Sequence, residues 1–218
     1  MKNETSPAIK IYQLRIYLRH ISPIIWRRIL VRSDSTIADL HYTLQIAFGL
    51  TDSHLHQFII RGKRYGIAKD GGIYFSDNPE EIKLKDFHFR LKERFLYEYN
   101  FHVPWEYEIR VEKTLPLKPG KTYPVCVDGS RAAPPENCGG PWAFMSLKQK
   151  YSPFYIERRL IEIFTDKEEF EYCQEEIFHF KYWLTIEQFD RHTVNKWLKL
   201  YASGGKEWEE FFEEVIQL

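Results

Sequence analysis

The chain has 218 residues, 44% of them hydrophobic, and a formal net charge of zero at pH 7. This length and composition are enough to bury a substantial core. Zero net charge argues against broad electrostatic wrapping of DNA. No apolar stretch reaches the roughly eighteen residues of a membrane span. The start, MKNETSPAIK, lacks an apolar signal region, and three cysteines, an odd number, fit a reducing compartment, so we expect a cytoplasmic protein.

The charge is unevenly distributed along the chain. Residues 1–50 carry seven Lys/Arg against three Asp/Glu, whereas residues 151–218 carry eight against fifteen. Charge runs are usually solvated surface, and a basic start and an acidic end also attract each other. A local basic face in the first part of the chain nevertheless stays an option.

The first 50 residues predict two strands followed by a helix. Ile9–Ile21 and Ile24–Val31 alternate apolar and polar residues, as half-buried strands do. Thr36 and Asp39 have the spacing of a capping box, and Gly49 has the position of a C-cap, so a helix is predicted between them. His41 lies on the apolar stripe of this helix, where a core histidine is more common than a metal ligand.

Further strands follow. Alternation is regular over His54–Ile60 and Arg94–Phe101, and again from Trp105 to Val111 after a short Pro-containing turn typical of a hairpin. The order of two strands, one helix and three strands predicts an α+β fold. We expect a mixed β-sheet with a crossing helix, in a β-grasp-like arrangement that occupies residues 1–145.

The remainder of the chain is predicted to be a long loop and then helices. Pro116–Pro141 is rich in proline and glycine, and long ordered loops in compact domains are often functional. A second capping box at Thr165 and Glu168, and a capping Asp190, begin segments with helical apolar spacing. We expect residues 146–218 to form a helical C-terminal extension that packs on the sheet domain and does not fold independently.

Two histidines and two cysteines are candidate metal ligands. His54 and His56 are two residues apart on a predicted strand, so both side chains leave the same face. Cys126 and Cys138 flank the loop and could complete a zinc site, although a spacing of twelve residues is not that of a zinc finger. The alternative is that the histidines hydrogen-bond the loop or the helix cap and that the thiols are buried.

Charged residues in the loop and on the second strand are candidate binding groups. Asp128, Arg131 and Glu136 could serve acid–base chemistry or bind phosphate, but such residues more often hold a loop in shape. Arg27 and Arg28 follow Trp26, a basic–aromatic cluster that can contact nucleic acid, although on a strand the two arginines face opposite sides. No nucleophile–base pair is evident, so no catalytic residue is assigned.

Four segments together resemble the plasmid Ri open-reading-frame-three-like family, whose members are also known as the TnpR passenger protein of insertion elements. They are YQLRIYLRHISPIIWRRILV, LHYTLQIAFGLTDSHLHQFII, LYEYNFHVPWEYEIRVEK and YPVCVDGSRAAPPENCGGPWAF. The resemblance runs from Ile9 to about Phe144, with a weaker match in FDRHTVNKWL, and Lys148–Glu187 looks particular to this branch. It implies an α+β sheet-and-helix domain and no established biochemical activity. The chain departs from the family pattern at His102–Pro104, at Tyr107 and at Ala133.

Three functional hypotheses follow. The first is a non-catalytic accessory protein of a plasmid or mobile element that binds a protein or DNA partner. The second is a metal-binding protein or metal-dependent enzyme with zinc held by the four His/Cys candidates. The third is a DNA-binding accessory protein that uses Arg15, Arg19, Arg27 and Arg28. We favour the first, and an enzyme is the less favoured outcome.

Overall fold

The protein is described here by a computed structural model that covers residues 8–69 and 72–212. Its centre is one seven-stranded sheet with the spatial order β4-β3-β5-β6-β1-β2-β7. The strands are β1 Lys10–Leu18, β2 Trp26–Arg32, β3 His56–Ile60, β4 Lys63–Tyr65, β5 Arg94–Tyr99, β6 Trp105–Pro116 and β7 Val125–Ser130.

The α+β class is confirmed, but the expected mixed sheet is not found. Every pair of neighbouring strands in the sheet is antiparallel. The strand after the helix, β3, pairs with β4 and β5 and does not lie beside β1, so the β-grasp-like detail is not confirmed. Short turns join β1 to β2, β3 to β4 and β5 to β6, and because short turns can only connect antiparallel neighbours they account for three of the six strand pairs.

The helices are α1 Ile37–Phe48, α2 Gly140–Lys150, α3 Pro153–Thr165, α4 Lys167–Tyr172, α5 Gln174–Thr185 and α6 Arg191–Ala202, with 3-10 helices at Leu84–Phe87 and Glu207–Glu209. The predicted ends of α1 are confirmed: Thr36 and Asp39 form a reciprocal capping box, and Gly49 adopts the left-handed conformation, φ 65°. None of the helices in the described part of the chain is long and apolar enough to cross a membrane.

The core lies between one face of the sheet and the helices. Alternate residues of the strands are buried, among them Ile16 on β1, Ile29 on β2 and Ile109 on β6. α1 places Leu44 and Phe48 against this face, and the ring of Phe48 lies 4.7 Å from that of Tyr107. The intervening residues of the same strands point to the opposite face and stay half-buried. We call that second face the open face.

The C-terminal half differs from the prediction in several places. The Pro116–Pro141 segment contains the edge strand β7, and α3, Pro153–Thr165, lies within the predicted helical extension although no start signal had been assigned to it. Asp166, and not Thr165, caps α4, whereas Asp190 caps α6 as predicted. The predicted boundary at residue 145 falls inside α2, and the division into two parts stays a prediction. Residues 213–218 of the predicted helical extension lie outside the described residues.

The edge of the sheet at β7 is completed by one side chain of α6. The Asn195 carboxamide accepts a hydrogen bond from the Cys126 backbone N–H and donates one to the Cys126 carbonyl, both at 2.8 Å. These two bonds replace the ladder that a further strand would supply. They also fix α6 on the sheet.

We expect Asn195→Ala to destabilise the protein by about 1–3 kcal/mol, because it leaves two partly buried backbone groups of β7 without partners. Urea unfolding followed by circular dichroism measures the change. Asn78→Ala removes an amide that bonds only exposed groups, and this control is expected to cost less than about 0.5 kcal/mol. Equal costs for the two variants would show that Asn195 does not hold the edge.

Candidate functional site

Glu136 joins the loop before β3 to the segment before α2. Its side chain is 3% exposed, and its carboxylate accepts hydrogen bonds from the Thr51 backbone N–H at 2.7 Å and the Tyr99 hydroxyl at 2.9 Å. The hydroxyls of Ser53 and Thr51 also donate to Oε1, each at 3.0 Å. His54 Nε2 lies 3.2 Å from Glu136 Oε1, at an angle too poor for a hydrogen bond. The two motifs TDSH and PPENCGGP therefore meet at one buried carboxylate.

The contacts of Glu136 determine what it can do. A carboxylate with several internal donors has little capacity left for an incoming ligand. The Glu136 carbonyl also accepts a hydrogen bond from the Trp105 indole at 3.1 Å. Burial, with the negative charge of Glu136 as a second cause, raises the pKa of Tyr99 well above its usual value, so the Tyr99 phenol keeps its proton and donates. Glu136, predicted as a binding residue, lies where it holds two loops together.

A second polar network lies beside the first, between α1 and β5. His41 is fully buried; its Nε2 lies 3.0 Å from Asp52 Oδ1 and its Nδ1 lies 2.9 Å from the Tyr97 hydroxyl. Gln45 donates to the same hydroxyl at 2.7 Å. The Lys69 ammonium contacts both the carboxylate and the carbonyl of Asp52. Burial lowers the pKa of His41, so the ring is neutral and takes its proton on the nitrogen that faces the carboxylate.

His56 stacks on His41, with ring centroids 3.6 Å apart. Its Nε2 accepts a hydrogen bond from the Ile67 backbone N–H at 3.1 Å, and its buried Nδ1 has no partner in the described part of the chain. Burial lowers the pKa of His56 well below its usual value, and the positive charge of Lys69 lowers it further. A neutral ring that accepts at Nε2 must carry its proton on Nδ1.

His41, Asp52 and His56 are the one group among the described residues whose ligand atoms lie close enough to hold a metal, within 4.8 Å of one another. The donor set does not fit one. His56 Nδ1 carries a proton, and the two nitrogens of His41 face a carboxylate and a hydroxyl. Asp52 already has the Lys69 ammonium as its cation. Zinc needs free imidazole lone pairs, so the hydrogen bonds of these three residues do not fit a metal site.

The four predicted metal ligands are not brought together. His54 faces Glu136 and His56 faces His41, while Cys126 lies on β7. β3 and β7 are separated by five interstrand steps, roughly 24 Å along the sheet. The Cys126 thiol is buried and donates to the Asp128 carbonyl at 3.3 Å. Burial raises the pKa of Cys138 to about 11, so its thiol stays protonated. The expected His/Cys zinc site is therefore corrected to separate polar and thiol positions.

Arg27 is the clearest correction among the predicted binding residues. It is 2% exposed and lies in the core, where its Nε donates to the Ala47 carbonyl at 3.1 Å and its Nη1 to the Trp26 and Ser130 carbonyls. Ala47 is in the last turn of α1, whose carbonyls lack helical partners and carry partial negative charge. The guanidinium lies 3.7 Å from the ring centroid of Phe189. Arg27 is thus an internal cap for α1.

The other predicted binding residues lie near the surface. Arg28 is on the open face and pairs with Glu112 at 2.7 Å and with Asp128 at 2.8 Å. Arg131 pairs with Glu187 and donates to the Ile24 carbonyl. Arg28 is therefore accessible from the open face, whereas Arg131 fastens the end of β7 to the segment after α5.

Sequence reasoning missed a row of four arginines across the open face. Strand register places Arg94 opposite Arg110, Arg110 opposite Arg15, and Arg15 opposite Arg28. Neighbouring strands are about 4.8 Å apart, so the row is roughly 14 Å long. Alternation alone puts these residues on the polar side of their strands, but only the pairing of β5, β6, β1 and β2 aligns them. We call this set the arginine row.

The two outer arginines of the row have partners, and the two inner ones do not. Arg94 pairs with Glu108 at 3.0 Å, and Arg28 with Glu112 and Asp128. Arg15 and Arg110 form no ion pair with any described residue, and the Nε of each is shielded from solvent without a hydrogen-bond partner. The Arg15 guanidinium lies 4.7 Å from the Trp26 ring centroid. The inner arginines thus present unsatisfied donors.

Comparison with known proteins places this architecture in a family. The model of the plasmid pRiA4b ORF-3-like proteins matches residues 10–196, most of the chain. The chain belongs to the plasmid pRiA4b ORF-3-like family. The resemblance inferred from the sequence is confirmed, and the match includes Lys148–Glu187, which the sequence had suggested to be particular to this branch.

Two similar proteins match more than half of this chain. The uncharacterised protein y4hQ of Sinorhizobium fredii is 30% identical over 141 residues, which are 63% of this chain and 71% of that protein. The crystal structure of MM3350, a protein of unknown function from Methanosarcina mazei Go1, has a TM-score of 0.62 and 32% identity, and the match covers 85% of this chain and 97% of that one. The fold is therefore similar to that of a solved structure across most of the chain.

We expect Arg27→Met to destabilise the protein by about 2–4 kcal/mol, because one buried carbonyl at the end of α1 and two part-buried carbonyls lose their donor. Arg28→Met is the matched control at the next position, and the loss of its part-exposed ion pairs is expected to cost no more than about 1 kcal/mol. Chemical denaturation compares the two variants. A smaller loss for Arg27→Met than for Arg28→Met would contradict the internal role of Arg27.

We expect stability to fall as pH drops from about 7 to about 5. Both His41 and His56 have pKa values below 6.5, the ordinary value, in the folded protein. As the pH falls, the unfolded chain therefore takes up protons on these histidines before the folded protein does. Each histidine lowers the free energy of unfolding by about 1.4 kcal/mol per pH unit below 6.5. Unfolding free energies measured across this range should show a shallower slope in His56→Gln. Asn78→Ala, at an exposed residue without a titrating group, is expected to keep the wild-type slope, and identical slopes in both variants would contradict the assignment.

Proposed function

We propose that this chain is a non-catalytic binding protein, and that the open face of its sheet recognises a protein partner with carboxylate side chains. The observation that carries the proposal is the arginine row, in which Arg15 and Arg110 lie side by side without an anionic partner among the described residues. The family's association with a plasmid supports an accessory role on plasmids or other mobile DNA. The free cysteines are consistent with a place in the cytoplasm.

The arginine row is prepared for an anion. Like charges directly opposite on neighbouring strands repel, so a carboxylate between Arg15 and Arg110 would relieve a cost that the folded chain already bears. A guanidinium binds a carboxylate through two parallel hydrogen bonds. Because the arginines are on strands whose backbone is already ordered, little backbone conformational entropy is lost when the partner binds.

A protein partner fits the face better than nucleic acid does. Glu98, Glu106 and Glu108 lie on the same face of β5 and β6 as the arginine row, and a phosphodiester backbone on this face would meet their charges. Arg19 is paired with Glu106 at 2.7 Å, and Arg27 is buried, so two of the four arginines predicted for DNA are unavailable. Side chains of both charges beside a tryptophan, as found around Trp26, are typical of protein interfaces, in which arginine and tryptophan contribute much of the binding energy.

The test uses a short polyglutamate peptide as the probe. We expect it to shift the arginine Nε–Hε resonances of Arg15 and Arg110 in an NMR titration, and the affinity to fall with added salt. The double variant Arg15→Gln/Arg110→Gln should lose at least about tenfold in affinity, since each charge-assisted hydrogen bond contributes about 1.5–3 kcal/mol.

The control removes the same charge elsewhere. Lys118 and Lys121 are exposed in the segment between β6 and β7, and Lys118→Gln/Lys121→Gln is expected to bind as the wild type does. Equal weakening by both double variants would show that only net charge matters. Tighter binding of duplex DNA than of the peptide, lost in Arg15→Gln/Arg110→Gln, would replace the protein partner with nucleic acid.

A further inference from the structure

A concavity of about 570 Å³ opens on the open face beside the arginine row. Arg28 and Arg110 form one part of its wall, and Lys92, Lys113 and Glu112 form another. Four cations and one carboxylate thus surround one space. The question is whether the positive charges are already neutralised inside the protein.

The single carboxylate is fully occupied by one of the four cations. Glu112 accepts from Arg28 Nε at 2.7 Å and from Arg28 Nη2 at 3.3 Å, and Gln13 donates to it at 2.8 Å. Burial opposes ionisation of Glu112, but the hydrogen bonds from Arg28 and Gln13 outweigh it, so the pKa of Glu112 lies below its usual value. Arg28 also pairs with Asp128 at 2.8 Å, so two carboxylates offset its charge and Glu112 has none left for the other three cations.

Three cations of the wall are left. Arg110, Lys92 and Lys113 form no ion pair with a residue that the structure describes, and Arg110 Nε is shielded from solvent with no acceptor. A phosphate monoester has a charge of about −1.5 to −2 at pH 7 and three acceptor oxygens. The remaining charge and donors of the concavity match such a group better than a single carboxylate, which one guanidinium satisfies.

Strand pairing fixes the backbone positions of Lys92 and Lys113 beside the concavity. The pairing of β1 with β6 shifts between Gln13 and Leu14, so Glu112 is the extra residue of a β-bulge and Lys113 pairs with Gln13. A bulge changes the direction of the side chains around it. Lys92 has φ 68° and donates its backbone N–H to the Val111 carbonyl at 2.8 Å, which holds it beside the same stretch of β6.

We infer that this concavity binds a phosphate monoester on the partner protein, so the partner presents a phosphorylated side chain next to its carboxylates. The inference rests on the proposed function, because the concavity is part of the open face that receives the partner. Arg110 belongs to both sites, because it is one of the two arginines of the row without an ion pair and it also lines the concavity.

The experiment compares two acidic peptides that differ only in one serine or phosphoserine. Isothermal titration calorimetry on the full chain should show at least about tenfold tighter binding of the phosphopeptide, from one to three new charge-assisted hydrogen bonds. Lys92→Gln/Lys113→Gln should abolish this gain, so that the two peptides bind this variant with equal affinity. Lys118→Gln/Lys121→Gln, which removes equal charge outside the concavity, should retain the gain. Inorganic phosphate should lower the affinity for the phosphopeptide and leave the affinity for the unmodified peptide unchanged.

The outcomes separate this inference from the proposed function. No gain on phosphorylation, or a gain that persists in Lys92→Gln/Lys113→Gln, overturns the phosphate site; the proposed function stands if the unmodified peptide still needs Arg15 and Arg110. Binding of neither peptide overturns both. If both lysine double variants lose the extra affinity for the phosphopeptide equally, that affinity depends on net charge alone, and this result also overturns the phosphate site.

Discussion

The antiparallel register of β5, β6, β1 and β2 is the constraint on which the rest of the structure depends. Because side chains alternate along each strand, this one register decides which residues enter the core and which meet on the open face. A shift of one residue in β1 would turn Ile16 outward and Arg15 inward. The register is set by burial, since Ile16 and Ile109 are both fully buried and lie opposite each other. The arginine row is therefore a consequence of core packing on the other face.

The local parts of the fold could be predicted from the sequence. Alternation identified the long strands, and the capping residues Thr36, Gly49 and Asp190 marked helix ends, because these patterns depend on near neighbours in the chain. The edge strand β7 was missed because its backbone partners are β2 and the Asn195 side chain, distant in sequence, while its own residues suggest a loop. The antiparallel sheet was missed because pairing between strands is not a local property.

The polar sites show the same limit more strongly. TDSHLH suggested metal binding because two histidines on one strand share a face, yet His54 lies before β3 and faces Glu136, 82 positions further along the chain. His56 instead meets His41, which the apolar stripe of α1 correctly placed in the core. Residue types indicated polar sites at these positions. Their partners, and with them the choice between hydrogen bonding and metal ligation, depend on the tertiary fold.

Arg27 and Arg28 show how one sheet serves two different purposes. Adjacent in sequence and identical in type, they leave opposite faces of β2. Arg27 is enclosed, its donors satisfied by carbonyls, and burial lowers its pKa to about 10, still high enough to keep its charge at neutral pH. Arg28 faces solvent and holds Glu112 in place, which leaves Arg110 and its neighbouring lysines without a counter-charge. The first arginine stabilises the end of α1, and the second shapes the charge of the open face, so the two faces can change independently as long as the register is kept.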